Sequence, residues 1–467
     1  MPVPKVGWSG TWWLPEHPDR QIRGTAHFGA TQTLDVSMQL EPPVPPEQQS
    51  TGITINSLLV ESREYPVVFG EVEGIGAVTL AEVSGMYWDA PFPANHSCHF
   101  RYAIEGARVP AAGLMFDRFL FSTDRLWEWC TPAAIELVGA VDDPTVHLPA
   151  QSLLDGTYDS ANIRLASRPT FHISSPRMDG ELIAVWEIKL ESPIGLLTGI
   201  HQWIGPLRDL ISFLSSRPNR ITWIMVGFPG EERQFEVHMW LLGDDLPSND
   251  SSLRPDEQLV PFRALEEPCR AVTSWLDGRE SFMVIRARLL SMGYAPLLFE
   301  EQRVTNLAQA AESLHRLLWD HPSRPVKEHR ARVDAVVAAA PAEHQEWARR
   351  VLSNANQLSL RVRVQEIVDQ AVRAGMPLGP DDPTVFAKEV SDARNRPSHG
   401  GSLLEGGNLD HLYRVFQGLD WMLKGILLSQ LGISTVTVAN RLNHNSEFVY
   451  QAAQLGWRAI ASTEPRD

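Results

Sequence analysis

The stretch VSDARNRPSHGG, at 390–401, holds the side chains of this sequence that are best suited to chemistry: Arg394, Asn395 and His399. A histidine, with an unperturbed pKa of about 6.5, can give or take a proton near neutral pH. A guanidinium fork stabilises charge that builds up on phosphoryl oxygens. An asparagine amide can orient the phosphate or the imidazole. This set fits RNA cleavage by the neighbouring 2′-OH, a reaction that requires neither a metal nor a cofactor.

The spacing of arginine and histidine does not by itself identify a site, because three other arginines are followed five residues later by a histidine. These rival pairs are Arg233 and His238, Arg316 and His321, and Arg324 and His329. The first pair lies in a predicted strand, where residues five apart point to opposite faces. The second pair straddles a predicted helix end, and the third lies in a charged connector. None of the three has the asparagine and the glycine turn that follow Arg394.

A helix is predicted to carry Arg394 in its last turn. Asp382 and Pro383 suit its N-cap and first helical position. Its apolar face consists of Phe386, Val390 and Ala393.

The chain is expected to leave this helix between the arginine and the histidine. On an uninterrupted helix five residues advance about 500°, so Arg394 and His399 would point about 140° apart. Pro397 disfavours helical geometry at Arg396. The glycines at 400–401 then allow the loop to turn freely. We therefore expect the break to swing His399 back towards Arg394.

Length and composition predict a multidomain protein of the cytoplasm. The chain has 467 residues, of which 43% are hydrophobic, and this is enough for two or three domains. It contains no apolar run long enough to span a membrane and no apolar signal core at the N-terminus, so we expect neither a membrane segment nor secretion. Its three cysteines are far apart, which favours reduced thiols.

The net charge of −16 is unevenly distributed. From residue 300 onward 19 lysines and arginines stand against 20 acidic residues, a net charge of −1, so the preceding residues carry −15. An RNA site in the C-terminal third is therefore compatible with the charge, although no basic stripe indicates one.

The sequence predicts an α+β multidomain fold. Up to residue 300, short runs with partial alternation predict strands, interrupted by one helix at about 197–215. From residue 301 to 467, helical periodicity predicts an all-helical bundle. We therefore expect a β-rich region at 1–300, with a sub-boundary near 190 or at 245–260, and a helical region at 301–467. Runs that predict strands include QIRGTAHF, VTLAEVSGMYW, ELIAVWEIKL, RITWIMVGF and QFEVHMWLL.

The motif at residues 394–399 and its setting resemble a known family. Arg-Asn-x-x-x-His at the end of a late bundle helix, followed by a long final helix, looks like the HEPN ribonuclease motif. The whole chain is similar to ApeA-like HEPN proteins of bacterial anti-phage defence, in which a β-rich N-terminal region precedes a HEPN bundle. The segments that carry this resemblance are WSGTWWLPEHPDRQIRGTAHF, LLTGIHQWIGPLRDLISFLSSRP and FEEQRVTNLAQAAESLHRLL.

The resemblance implies a metal-independent RNA endonuclease that acts in abortive infection. It makes Arg394, Asn395 and His399 the catalytic residues and adds Glu312 more weakly. It also implies a homodimer with two motifs face to face and an RNA substrate such as tRNA. The N-terminal region is then expected either to sense a phage-derived trigger or to restrain the nuclease.

The sequence is also compatible with two other hypotheses about function. The chain could be a non-catalytic dimeric binding or sensor protein that uses its helical bundle for assembly. It could also be a metal-dependent hydrolase built on His96 and Cys98 of NHSCHF, but His99 points away from these two on a strand, and no second ligand pair with zinc spacing follows. We therefore expect no metal site here.

Overall fold

The protein forms two compact units. The structure, a computed structural model, describes residues 7–38, 40, 60–88, 96–130, 136–140, 143–147, 151–174, 177–241, 253–294, 300–353, 355–398 and 409–459. The first unit comprises Met1–Ile211 and Asn219–Ser252, and the second comprises Ser212–Pro218 and Leu253–Asp467. No helix in the described parts is long and apolar enough to cross a membrane. The division into domains at residue 300 stays a prediction.

The first unit is β-rich, as predicted, and its strands pair antiparallel. In chain order they are β1 Trp8–Trp13, β2 Ile22–His27, β3 Thr33–Val36, β4 Val60–Val72, β5 Gly76–Trp88, β6 His96–His99, β7 Tyr102–Glu105, β8 Phe116–Thr123, β9 Glu136–Ala140, β10 Asp143–His147, β11 Gln151–Tyr158, β12 Ala161–Ser174, β13 Arg177–Ile194, β14 Ile221–Gly227 and β15 Gln234–His238.

Six of these strands close into a ring. Its order is β5-β4-β1-β2-β3-β6, and the ring closes because β6 also pairs with β5. From β5 the sheet continues through β7, β15, β14, β8, β13 and β12 to β11. Strands β9 and β10 pair only with each other among the described strands. Closing the ring removes free strand edges that would otherwise be available for pairing with other chains.

The ring closes around Trp12, whose side chain is fully buried. A Cβ atom at Gly70 would lie 2.4 Å from the Trp12 ring, and one at Gly24 would lie 3.1 Å from it. Only glycine permits strands to approach the indole this closely. The same core contains Trp8 and Leu80.

Helical segments of the first unit are few. They are α1 Leu126–Cys130, α2 Leu196–Gly199, a π-helical turn at Ile200–Ile204, and α3 Gly205–Ser215, whose last residues belong to the second unit. The last three segments are continuous and confirm the helix predicted at about 197–215.

The second unit is mainly helical. Its helices are α4 Pro268–Asp277, α5 Met283–Tyr294, α6 Glu300–Trp319, α7 Val326–Ala339, α8 Ala342–Leu352, α9 Leu360–Arg373, α10 Pro383–Ser398, α11 Leu409–Gln430, α12 Thr435–His444 and α13 Ser446–Gln454. Two features differ from the predicted all-helical bundle. Helices α4 and α5 were not predicted, and β16 Leu378–Gly379 pairs with β17 Arg458–Ala459.

The start of α10 follows the predicted sequence signal. The carboxylate of Asp382 accepts hydrogen bonds from the backbone N–H groups of Thr384 at 2.8 Å and Val385 at 3.2 Å, which makes it the N-cap of α10. Gly375 follows α9 with a φ of 100°, a conformation that glycine adopts without strain. Helices α6, α9, α10 and α11 pack together and bury the predicted apolar face of α10.

We predict that replacing Val390 by aspartate unfolds the second unit. Val390 is fully buried, and a carboxylate there would lose its hydration without gaining a partner. We expect a loss of about 3 kcal/mol or more in the free energy of unfolding, measured by chemical denaturation. The matched control is Val385→Asp on the same helix, since Val385 is 52% exposed and its replacement should change stability by no more than about 0.5 kcal/mol. Equal stability of the two variants would contradict the packing of α10.

Candidate active site

The predicted break before Pro397 is wrong, because α10 remains helical through Ser398. A proline this close to a helix end removes one N–H donor in the last turn, and the helical neighbours override the restriction that it places on Arg396. No turn between Arg394 and Ser398 therefore redirects the chain. His399 and the glycines at 400–401 lie outside the described residues.

Arg394 and Asn395 are brought together near the C-terminus of α10. Nη1 of Arg394 donates a hydrogen bond to Oδ1 of Asn395 over 3.0 Å, and both side chains are half-buried. A guanidinium has five N–H donors, and this bond uses one of them while it helps to orient the group. The C-terminal end of a helix carries partial negative charge, which favours a cation there and repels an anion. An anionic substrate at this position would therefore require a compensating cation such as this guanidinium.

Glu312 lies on α6 and pairs with its own helix neighbour. Its Oε1 accepts a hydrogen bond from Nη2 of Arg316 over 2.8 Å, four residues further along. Both side chains are partly exposed, so the pair contributes at most about 1 kcal/mol. The described contacts thus join Glu312 to Arg316 and do not bring it to Arg394 or Asn395.

In the three rival arginine–histidine pairs, each described contact joins a member to another group rather than to its pair mate. His238 contacts Glu105 over 2.9 Å, His321 contacts Glu366 over 3.2 Å, and His329 contacts the carbonyl oxygen of Leu352 over 3.3 Å. Their arginines lie instead against an aromatic ring or an acidic neighbour: Arg233 against Phe235, Arg316 against Glu312 and Arg324 against Glu328.

A buried polar network between α6 and α9 was not predicted. Nη1 of Arg363 donates to Nδ1 of His315 over 2.9 Å, and Nε2 of His315 lies 2.5 Å from Oε2 of Glu366. Arg363 is 2% exposed, His315 is fully buried, and Arg363 also pairs with Asp320 over 3.2 Å. Sequence spacing gave no signal for it, since α7 and α8 separate the two helices along the chain.

The network fixes the protonation of His315. A guanidinium can only donate, so Nδ1 of His315 must accept. The ring is then the neutral tautomer with its proton on Nε2, and it donates to Glu366. His321 contacts Pro322 O through Nδ1 over 3.3 Å and Glu366 through Nε2 over 3.2 Å.

This donor pattern does not suit a cation, although His315, His321 and Glu366 lie close enough together to hold one. Metal-binding imidazoles present a lone pair at the ligating nitrogen and usually donate from the other nitrogen. In His315 the arginine faces the nitrogen that would have to donate. A metal would have to displace the proton on Nε2 of His315 and reverse the Arg363 contact.

We predict that Arg363→Met destabilises the second unit while Arg361→Met does not. The first change leaves Nδ1 of His315 buried without its donor and should cost about 1–3 kcal/mol in the free energy of unfolding. Arg361 lies two positions earlier on α9 and is exposed, so it is a matched control. Nitrogen-15 NMR of labelled histidine should report the Nε2–H tautomer of His315, and a protonated Nδ1 would contradict the network.

The residues proposed as metal ligands under the hydrolase hypothesis lie in the first unit. His96 and Cys98 are buried and share a face of β6, whereas His99 is exposed, as the strand alternation predicted. Burial, with a smaller effect of Asp35, raises the pKa of the Cys98 thiol to about 11, and burial lowers the pKa of His96. A protonated thiol in an apolar core is a poor metal ligand.

Two protein-family models match the chain. The model described as ApeA N-terminal domain 1 matches residues 7–275, and the model described as Apea-like HEPN matches residues 305–437. The first match covers the β-rich unit and the second covers α10 with Arg394 and Asn395. Neither a curated protein nor a solved structure matches the chain significantly.

Proposed function

Because the chain belongs to the ApeA-like HEPN proteins, we propose that it is a metal-independent RNA endonuclease of anti-phage defence. The observation that carries the proposal is the hydrogen-bonded pair Arg394 and Asn395 at the C-terminus of α10. The two residues stand where the Arg-Asn-x-x-x-His motif begins. His399 completes that motif in the sequence.

The proposed reaction uses the RNA strand as its own nucleophile. The 2′-oxygen attacks the adjacent phosphorus, and the bond from phosphorus to the 5′-oxygen breaks. The 2′-OH loses its proton and the 5′-oxygen gains one. A neutral His399 can take the first proton, and a protonated His399 can supply the second. The products are a 2′,3′-cyclic phosphate and a 5′-hydroxyl.

Arg394 is assigned to the charge that accumulates on the phosphoryl oxygens. Its guanidinium is already oriented by Asn395, so little reorganisation is needed when the phosphate arrives. Asn395 is therefore a positioning residue in this proposal. Glu312 is held by Arg316 and receives no role in the reaction.

The unbroken helix suggests how the site is assembled. Helix α10 provides no turn between Arg394 and Ser398. If helical geometry continued for one more residue, positions 394 and 399 would point about 140° apart. We propose that each site combines Arg394 of one copy with His399 of another in a homodimer. The rival proposal is a non-catalytic dimeric sensor. It is also compatible with an unbroken α10, and it differs in predicting no RNA cleavage.

The β-rich unit is assigned to control. Its acidic character, with nearly all of the net charge before residue 300, repels RNA and leaves substrate binding to the second unit. We propose that it senses a phage-derived trigger or restrains the nuclease until infection. The RNA substrate follows by family resemblance, with tRNA as the first class to test.

Arg394 variants should lose activity without losing stability. Arg394→Ala should lower the rate of RNA cleavage about a hundredfold or more, since a charge-stabilising donor contributes about 3–4 kcal/mol. Arg394→Lys should recover only part, because an ammonium keeps the charge and loses the planar fork. Melting temperatures of both should stay close to that of the wild type. Arg361→Ala, an exposed change on α9, is the control. Full activity of Arg394→Ala would remove the arginine from the mechanism.

Mixed dimers test whether the site is shared between copies. Arg394→Ala and His399→Ala are each expected to be inactive as homodimers. In a mixed dimer, one of two shared sites contains an intact Arg394 and an intact His399, so about half of the wild-type activity should return. Sites built within one copy would leave the mixture inactive. Co-expression with different affinity tags allows the mixed dimer to be isolated and its RNA cleavage to be measured. His344→Ala changes an exposed histidine of α8 and provides the control partner.

A further inference from the structure

Helices α7 and α8 of the second unit form a hairpin that is exposed over most of its length. Their residues are half-buried or exposed, apart from Val337 and Ala348, which are buried. The two helices pack against each other and run antiparallel, because the N–H group of Ser323 before α7 donates a hydrogen bond to the carbonyl oxygen of Asn356 after α8 over 2.9 Å. Val337 and Ala348 therefore mark the sides on which the helices meet.

Large apolar side chains are exposed on one side of this hairpin. Val336 is 48% exposed, Trp347 58% and Val351 52%. Antiparallel helices are related by a two-fold axis perpendicular to the hairpin, so Val336 and Trp347, which directly precede the buried residues, point to the same side. Val351 follows Ala348 by three positions, which brings it back to within about 60° of Ala348 on that side. We call the strip formed by Val336, Trp347 and Val351 the hairpin face.

Two opposite charges flank the hairpin face. Arg332 precedes Val337 by five positions, and Glu343 precedes Ala348 by five positions. Each side chain therefore lies about 140° from the buried residue of its helix, turned towards the hairpin face. Both side chains are exposed. The two charges cancel, so this surface does not attract a polyanion such as RNA, and its apolar strip suits a protein partner.

The hairpin face is complementary to itself. A second copy, related by a two-fold axis through the middle of the face and perpendicular to it, places each position of α7 on the equivalent position of α8. Trp347 of one copy then lies on Val336 of the other, and Arg332 of one copy lies on Glu343 of the other. The axis repeats both contacts, so each copy offers the same surface to its partner.

The sizes and the arrangement of the side chains also suit such a pairing. The position on α7 that is equivalent to Val351 is Ala340, so the branched side chain meets a small one. Apolar groups lie at the centre and charged groups at the rim, as in most protein interfaces. Tryptophan is among the residues that contribute most to association when an interface buries them.

We propose that the hairpin face is an interface between two copies of this chain, with Trp347 on Val336 at its centre and Arg332 beside Glu343 at its rim. The proposal deepens the homodimer of the proposed function and rests on that function for the second copy. It concerns association and not RNA chemistry, so its test measures association in the absence of RNA.

The first test removes the apolar anchor from the full-length protein. Trp347→Ala should raise the dissociation constant of the dimer about tenfold or more, measured by sedimentation equilibrium. The control is Tyr450→Ala on α13, since Tyr450 is also a large exposed aromatic residue and should leave the dissociation constant close to that of the wild type. Circular dichroism should show the same helix content in both variants, because neither side chain is buried.

The second test exchanges the rim charges. Arg332→Glu and Glu343→Arg each oppose like charges at both contacts and should each raise the dissociation constant about tenfold. In an equimolar mixture of these two variants, a dimer with one copy of each pairs opposite charges at both contacts. Native mass spectrometry with one variant isotopically labelled should therefore show mainly the mixed dimer. Arg361→Glu, an exposed change on α9, is the control and should form mixed and unmixed dimers with the wild type equally.

The possible outcomes separate this interface from the proposed nuclease. Wild-type protein that stays monomeric at its highest soluble concentration would overturn both the interface and the shared nuclease site. A dimer that Trp347→Ala and the charge variants leave intact would overturn the interface alone, because the copies then meet elsewhere. RNA binding that Trp347→Ala weakens without any change in dimerisation would reassign the face to nucleic acid. Mixed dimers formed by a protein that does not cleave RNA would support the interface and contradict the nuclease.

Discussion

Burial of the apolar face of α10 against its helical neighbours is the constraint on which the candidate active site depends. Phe386, Val390 and Ala393 lie in the interior of the second unit, and Arg394 directly follows the last of them. A helix advances by a fixed angle per residue, so fixing Ala393 inward also fixes where Arg394 points. The bond to Asn395 then holds the guanidinium in place. Helical packing thus positions a charged group at a partly exposed helix end.

The same constraint removes the turn that was predicted within the motif. Because packing keeps α10 helical past Pro397, no turn between Arg394 and Ser398 redirects the chain, and His399 lies outside the described residues. A proline in the last turn costs the helix little once the preceding turns are buried. We propose that a second copy provides the complementary half, so that assembly of the dimer would control when the nuclease is complete.

The sequence predicted the elements better than the contacts between them. Alternation, helical periodicity and capping residues are local signals, and they predicted strands such as β5 and β14, the helix at 197–215 and the Asp382 cap. The local rule for residues before proline failed at Arg396, where tertiary packing overrides it. No local pattern encodes contacts between residues that are far apart in sequence. Examples are the Arg363–His315–Glu366 network and the closure of the ring through β6.

The chemistry of the RNA ends tests the central claim most directly. Purified protein is incubated with tRNA in excess EDTA beside His399→Ala, and the ends of the products are identified by enzymatic end-labelling and mass spectrometry. Attack by the 2′-OH predicts 2′,3′-cyclic phosphate and 5′-hydroxyl ends, formed by the wild type in the presence of chelator and absent with His399→Ala. Products with 5′-phosphate ends, or cleavage that EDTA abolishes, would contradict the assignment.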